Sequence, residues 1–489
     1  MSAIPKLRSQ SSTLEDEISK VLQARGLSQS NDVKDIFPAP DYMQLLVSSG
    51  IFDSWNFGIA LTSNGASVKD FRTAIEKTLS NNTIFTALCV ADESKDLHYV
   101  TLKPSPKLWD ICIVDGGSVQ SNADLLSLSI DYPYPDKAKL PGPLFHCLIV
   151  HVEESNSAAM VFYLHHLVHD SLSLPLFYDD IERSLSRPLE ELHRHNDYKD
   201  WADAFHSVRN SATASESVDF HTRRLSSLHL HRWALYPPAP LAREPATDTV
   251  GLYYKFNAPG LPSLKEIARN ADITPDTVLK AAIALVNVHR TGHTHAIFSS
   301  VTDGRTPLRS FGSAVQRAQT TTAELTNLYG PTMQGVCDLI EIPHGESAAQ
   351  FLRRMQANQL ELLRHEHAPI RHIIDNLNGQ NDKSGDLIID AHRAQFFVWS
   401  PAYSDGYEQI GVLQMSIRCT VGLVVVGWME DEGTSYALRL RWDGANFSRD
   451  RARGFAGDIE TTISWLTRVE NRDKPIAGLL SEIGETHGK

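Results

Sequence analysis

The sequence has few cysteines, and their spacing gives them no shared role. The five cysteines among 489 residues lie far apart and form no C-x-x-C pair, so neither a zinc knuckle nor a disulfide framework is expected. An odd number of scattered cysteines is typical of a reducing compartment. We therefore predict a cytoplasmic protein that holds neither a structural metal nor disulfides.

Long hydrophobic runs are also missing. The longest apolar stretches, such as Val421–Trp428, are much shorter than the roughly 20 residues that a transmembrane helix needs. The polar segment Met1–Ser30 lacks the apolar core of a secretory signal. We therefore expect neither a membrane span nor a membrane partner.

Positive charge is in deficit. With 46 Lys and Arg against 59 Asp and Glu, the formal net charge is −13. An acidic chain repels phosphate backbones, which argues against nucleic acid as a partner. The remaining composition, 42% hydrophobic and 21% charged, is that of a globular protein. A chain of this length is too long for one compact core, so two domains or lobes are expected.

Strand-like and helix-like segments alternate in both halves of the chain, which predicts two α/β lobes. The proline-rich stretch Trp233–Thr247 separates them and is expected to be an extended crossover. We predict an N-terminal extension with a linker helix over 1–31 and a first lobe over 32–205. A linker over 206–247 and a second lobe over 248–489 follow, and the chain is expected to be a monomer. Within the linker, Asn210–Val218 is rich in Ser and Ala and is predicted to be a surface connection.

The densest cluster of titratable side chains lies where a predicted strand ends and a helical pattern begins. It contains His165, His166, His169 and Asp170. One histidine could move protons near neutral pH. Alternatively, His165 and His169 are four residues apart and could share a metal ion, although no H-E-x-x-H pattern or third ligand accompanies them. As a third alternative, the histidines could simply pack at the end of the strand.

This cluster resembles the signature of the condensation domains of nonribosomal peptide synthetases, which is two histidines, three variable residues and an aspartate. His165, His166 and Asp170 match the signature, and Ser171 replaces the usual glycine. Further stretches resemble the family's motifs in order and spacing between about residues 32 and 480. They include Asp35–Pro38, Tyr198–Trp201, Gly304–Arg305, Gly330–Thr332 and His365–His367.

The resemblance implies a fold of two chloramphenicol-acetyltransferase-like lobes that form a V-shaped pseudo-dimer. It implies acyl transfer from a pantetheine thioester on a peptidyl or acyl carrier protein to an amine or, less often, an alcohol, in natural-product biosynthesis. His166 would be the catalytic residue, Asp170 would pair with Arg305, and His165 would pack and hydrogen-bond. No bound cofactor is implied, since the substrate arrives on the carrier or on coenzyme A.

Two departures from the family pattern refine this expectation. The stretch Asn81–Ala87 lacks the arginines of the family's second motif. Ser171 and Ser173 fit a fungal terminal subgroup that releases peptides by cyclisation, although that subgroup usually has serine at the position of His165. Two alternatives stay open, namely a transferase that uses acyl-coenzyme A with a free small molecule, and a catalytically silent module that only docks a carrier.

Overall fold

The computed structural model describes residues 13–51, 56–132, 138–238, 249–258, 273–305, 326–380, 384–400, 406–417 and 421–486. Part of the predicted N-terminal extension and residues 239–247 of the predicted crossover lie outside this range, as does Cys419. None of the helices in the described segments is long and apolar enough to cross a bilayer.

Helices and strands occur throughout the described chain. The helices are α1 (Leu14–Gln23), α2 (Gln29–Asp32), α3 (Asp41–Ser48), α4 (Val68–Asn81), α5 (Pro106–Cys112), α6 (Asn122–Asp131), α7 (Ser173–Ser186), α8 (Tyr198–Val208), α9 (Ala212–Arg224), α10 (Pro275–Thr291), α11 (Ala348–Arg364), α12 (Ile370–Gln380), α13 (Asp386–Ala394), α14 (Arg449–Thr467) and α15 (Ile476–Thr486). The strands are β1 (Val33–Pro38), β2 (Asn56–Ser63), β3 (Leu88–Ala91), β4 (Leu97–Leu102), β5 (Ile113–Val119), β6 (Phe145–Val152), β7 (Ser157–His165), β8 (Thr249–Asn257), β9 (His295–Thr302), β10 (Gln334–Glu341), β11 (Gln395–Trp399), β12 (Ile410–Ile417), β13 (Leu423–Glu430) and β14 (Ser435–Asp443).

The first large sheet has the strand order β12-β2-β7-β6-β5. Its central strand β7 is buried along its whole length, because the sheet is covered on both faces. A strand covered on both faces has a continuous apolar sequence instead of an alternating one, as Ala158–Leu164 does. β7 ends at His165, and a short loop leads from there into α7.

The second large sheet has the order β10-β9-β11-β13-β14-β8. Strand β11 runs parallel to both β9 and β13, while β14 runs antiparallel to β13 and β8. Helices α10 and α14 pack on each other against one face of this sheet through a separate apolar core. The predicted mixed α/β architecture is therefore confirmed.

One strand crosses from the second half of the chain into the first sheet. Strand β12 pairs antiparallel with β2, with Ile410 opposite Ser63 and Ile417 opposite Phe57. The predicted second lobe, 248–489, therefore contributes a strand to the sheet of the first half. The predicted lobe boundary divides the sequence at one position, whereas the first sheet includes a strand from beyond that position.

Two helices begin at residues that favour a helix start. The side chain of Thr13 accepts from the backbone N–H of Asp16, whose carboxylate accepts from the N–H of Thr13, and this reciprocal pair satisfies two free donors of α1. Thr274 precedes Pro275 at the start of α10. Its hydroxyl contacts the side chains of Thr277 and Gln356 instead of the helix backbone.

The prediction that Asn210–Val218 is a surface connection is wrong. Helix α9 begins after Ser211, whose hydroxyl accepts from the backbone N–H of Ala214. Ala214, Val218 and His221 are buried on one face of α9. This spacing of four and three residues is the helical period, and it outweighs the small, polar composition of the segment.

Candidate active site

The loop between β7 and α7 carries the histidine cluster, and His165 anchors its start. His165 is buried, its backbone N–H donates to the carbonyl of Leu144, and its Nδ1 accepts from the N–H of Leu167 over 3.1 Å. Because Nδ1 accepts, the proton of a neutral His165 is on Nε2. His165 therefore fixes the path of the loop.

The next residue, His166, faces a cavity. Its Nδ1 lies 3.0 Å from the carbonyl oxygen of His169. A carbonyl oxygen can only accept, so Nδ1 carries the hydrogen and the lone pair of the neutral ring is on Nε2. Removal from bulk water lowers the pKa of His166 to about 4, so the ring is neutral at physiological pH. A neutral imidazole with a basic Nε2 can accept a proton from a nucleophile.

His169 stacks on His166. The two ring centroids are 4.7 Å apart with an interplanar angle of 6°, and Phe57 lies edge-on to both rings. Within the described segments neither ring nitrogen of His169 has a hydrogen-bond partner. Burial, and then the neighbouring His166, hold the pKa of His169 well below its usual value. His169 is therefore a buried neutral ring, which the sequence pattern did not distinguish from a possible metal ligand.

The described residues contain no group of three or more His, Cys, Asp or Glu side chains placed to hold a metal ion. Nδ1 of His165 accepts from the N–H of Leu167 and is therefore not free to bind a metal ion.

Asp170 is a buried carboxylate whose two oxygens are saturated with donors. Arg305 Nη2 lies 3.0 Å from Oδ1 and 3.1 Å from Oδ2, and the hydroxyl of Ser173 donates to Oδ1 over 2.6 Å. Backbone N–H groups of Leu172, Ser173 and Thr332 donate as well. Burial alone would raise the pKa of Asp170, but Arg305 and then the hydrogen bonds outweigh it, so this pKa lies below its usual value. Asp170 therefore stays ionised and joins three segments.

Gly304 places Arg305 beside this carboxylate. The φ angle of Gly304 is +61°, and a Cβ there would lie 1.8 Å from the carbonyl oxygen of Thr332. Glycine alone adopts this conformation without strain and leaves room for such an approach. Arg305 also donates from Nη1 to the carbonyl of Leu328 over 2.9 Å. The Gly304–Arg305 pair thus ties the end of β9 to the segment before β10.

The two serines of the cluster lie in different places. Ser173 is buried, and its hydroxyl joins Asp170 to Gly330. Ser171 is partly exposed and lines the cavity. Ser173 is therefore part of the Asp170 network, and Ser171 is the serine that a substrate can contact.

Asn81 and Asn82, at the start of the stretch Asn81–Ala87, bind a second buried carboxylate. Their side-chain amides each donate to Asp180 over 3.0 Å. His195 Nε2 lies 3.1 Å from the same carboxylate, and the hydroxyl of Tyr329 donates to it over 3.3 Å. The sequence alone did not indicate this cluster, because Asn81 and Asn82 are about 100 residues away from Asp180 in the chain.

A cavity with a volume of about 160 Å³ opens in front of His166. Its walls come from the first sheet, the β7–α7 loop and one face of the second sheet, and they are mainly apolar. The described residues with polar side chains in its lining include Tyr42, His166, His169, Asp170, Ser171, Thr302, Asp303, Ser400, Arg439 and Arg441.

Comparison with known proteins identifies relatives of this arrangement. A family model described as "Condensation domain" matches residues 53–417. Nonribosomal peptide synthetase SIDD of Beauveria bassiana is 23% identical over 230 residues, which are 47% of this chain and 11% of SIDD. The chain thus spans about a tenth of the length of this relative.

Solved structures share the fold. The condensation domain from Monacolin K polyketide synthase MokA superposes with a TM-score of 0.68 at 13% identity, covering 91% of this chain and 100% of that domain. The epimerization domain TycB3(E), from the third module of tyrocidine synthetase B, gives 0.67 at 13% identity and covers 93% and 99%. The predicted fold of two chloramphenicol-acetyltransferase-like lobes is thereby confirmed.

Proposed function

The chain belongs to the condensation-domain family, and from that premise we propose that it transfers an acyl or peptidyl group from a carrier-protein pantetheine thioester to an amine. The observation that carries the proposal is the neutral ring of His166 at the cavity wall, with its Nδ1–H held by the carbonyl of His169 over 3.0 Å. Because Nδ1 is used in this hydrogen bond, Nε2 is the ring nitrogen that can accept a proton from the attacking amine.

In this reaction the amine nitrogen attacks the thioester carbonyl and the C–N bond forms as the C–S bond breaks. His166 Nε2 accepts or holds the proton that the amine loses, and that proton passes to the departing pantetheine thiolate. A correctly placed base contributes about 10²–10⁴-fold to the rate of such a step. Asp170 does not reach the reacting atoms in this scheme, because its oxygens are already bound to Arg305, Ser173 and Thr332.

If the amine belongs to the same acyl chain, the product is a macrocycle and the transfer releases it from the carrier. The Ser171 and Ser173 pattern is the sequence feature behind this narrower proposal. Because Ser173 is bound to Asp170 and Gly330, only Ser171 is placed to contact such a chain.

The test is product formation from an acyl-loaded carrier and an amine. His166→Ala should lower the rate about 10²–10⁴-fold and leave the melting temperature near that of wild type, since His166 is a partly exposed side chain at the cavity wall. His206→Ala, which removes an exposed imidazole from α8, is the matched control and should retain the wild-type rate.

A folded His166→Ala protein that forms product at the wild-type rate would contradict the proposal. Two further arms separate the alternatives. Turnover of acyl-coenzyme A with a free acceptor and no carrier would favour the stand-alone transferase. Carrier binding without chemistry under any acyl load would favour the silent docking module.

A further inference from the structure

The cavity has one wall whose chemistry the proposed reaction does not use. This wall is a face of the second sheet, on which side chains two residues apart point the same way. Residues 424, 426 and 428 of β13 and residues 439 and 441 of β14 face the cavity. The residues that alternate with them along the two strands, such as Val425, Leu438 and Leu440, are fully buried on the opposite face.

Strand register arranges this wall as two rows that cross the sheet. In one row Phe396 of β11 is opposite Val424, which is opposite Arg441. In the second row Val301, Val398, Val426 and Arg439 follow one another across β9, β11, β13 and β14. Each row is therefore apolar over the central strands and ends in a guanidinium group on β14.

The apolar side of this wall, at β9, lies next to the loop between β7 and α7. Arg305, which binds Asp170, follows the end of β9 by three residues. Strand β14 is three strands away from β9 in the sheet. At about 4.8 Å per strand this separation is about 14 Å, the length of roughly four residues of extended peptide.

At the guanidinium end of the cavity, Arg439 has a positive charge that no other described lining residue neutralises. Arg439 forms no ion pair with any carboxylate in the described part of the chain, and its guanidinium lies 5.5 Å from the centre of the Trp428 ring. The two acidic lining residues, Asp170 and Asp303, lie at the opposite end, where they accept hydrogen bonds from Arg305. Glu430 beyond Trp428 is already bound to Lys255 and Tyr253.

We infer that the cavity accepts a substrate with an apolar body and a terminal carboxylate, which Arg439 binds at the end of the cavity away from His166. A guanidinium group that stacks on an indole keeps its N–H edge available, and its planar fork matches a carboxylate. The Val301, Val398 and Val426 row supplies the surface for the apolar body. The inference rests on the proposed function only in taking the end beside His166 as the reactive end.

The test measures binding on His166→Ala, so that turnover does not interfere. One arm compares the pantetheine thioester of a medium-chain dicarboxylic acid with that of the matched monocarboxylic acid. A second arm compares a medium-chain amino acid whose amine and carboxylate are at opposite ends with the amine that lacks the carboxylate. The acidic member should bind at least about tenfold more tightly in one of the two arms, which also tells whether the donor or the acceptor carries the carboxylate.

Arg439→Gln should remove most of this preference. Because Arg439 is partly exposed, this variant is expected to fold. Arg451→Gln is the matched control, because Arg451 is exposed and lies over Phe447 outside the cavity. Equal binding of acidic and neutral probes in both arms, or no binding of the acidic probes, would overturn the inference. A preference for the acid in a protein that never forms product would instead overturn the proposed function alone.

Discussion

Two adjacent buried side chains in the segment His165–Asp170, the carboxylate of Asp170 (the acidic end) and the ring of His169 (the histidine end), differ in how completely their polar atoms are bound. Asp170 accepts from one guanidinium, two hydroxyls and three backbone N–H groups, and it links three segments of the chain. His169, one residue earlier, is equally buried, yet its ring nitrogens have no partner among the described residues. The acidic end therefore holds the architecture together, while the histidine end keeps two rings neutral beside the cavity.

The largest expected effect comes from breaking the acidic end. Asp170→Ala leaves Arg305 buried without its carboxylate, and removing one partner of a buried ion pair costs about 3–5 kcal/mol. The free energy of unfolding from urea denaturation should fall by about this amount. The control is Glu76→Ala, which removes a partly exposed i,i+4 partner from Arg72 and should cost less than about 1 kcal/mol. A melting temperature of Asp170→Ala equal to wild type would refute this structural role.

A smaller loss of unfolding free energy is expected when the backbone conformation of Gly304, which precedes Arg305, is disturbed. Gly304→Ala forces a Cβ against the carbonyl of Thr332 in a left-handed conformation, and backbone strain of this kind costs about 1–3 kcal/mol. Gly345→Ala is the control, because a Cβ there meets nothing within 4 Å and should change stability by less than about 0.5 kcal/mol. Equal unfolding free energies for the two variants would show that Gly304 is not under this constraint.

The smallest effect is expected at the histidine end. His169→Leu replaces a buried ring without hydrogen-bond partners by an apolar side chain, so the free energy of unfolding at pH 7 should change by less than about 1 kcal/mol or increase. The pKa of His169 in the folded chain is well below its usual value, so below about pH 6.5 the unfolded chain binds a proton there that the folded chain does not. Wild type should therefore lose stability as the pH falls below that value, and His169→Leu should lose less. If His169→Leu loses stability as steeply as wild type when the pH falls, the acid sensitivity comes from other groups.

Much of the site could be predicted because its residues are close together in sequence or stand in ordered motifs. The cluster at His165–Asp170 lies on one loop, and Gly304–Arg305 was recognised as its distant partner. Pairings that depend on the folded chain were not predictable. Nothing in the periodicity of Ile410–Ile417 shows that this strand joins β2, and the alternation around Arg439 and Arg441 does not tell which face of β14 meets the cavity.

The central claim is that His166 is a neutral imidazole whose lone pair is on Nε2. Nitrogen chemical shifts of histidine-labelled protein, assigned by comparison with His166→Ala, report the tautomer and the pKa of this ring together. We predict a ring with its proton on Nδ1 and a pKa of about 4. A ring with its proton on Nε2, or one that titrates near the ordinary histidine value of about 6.5, would contradict the account.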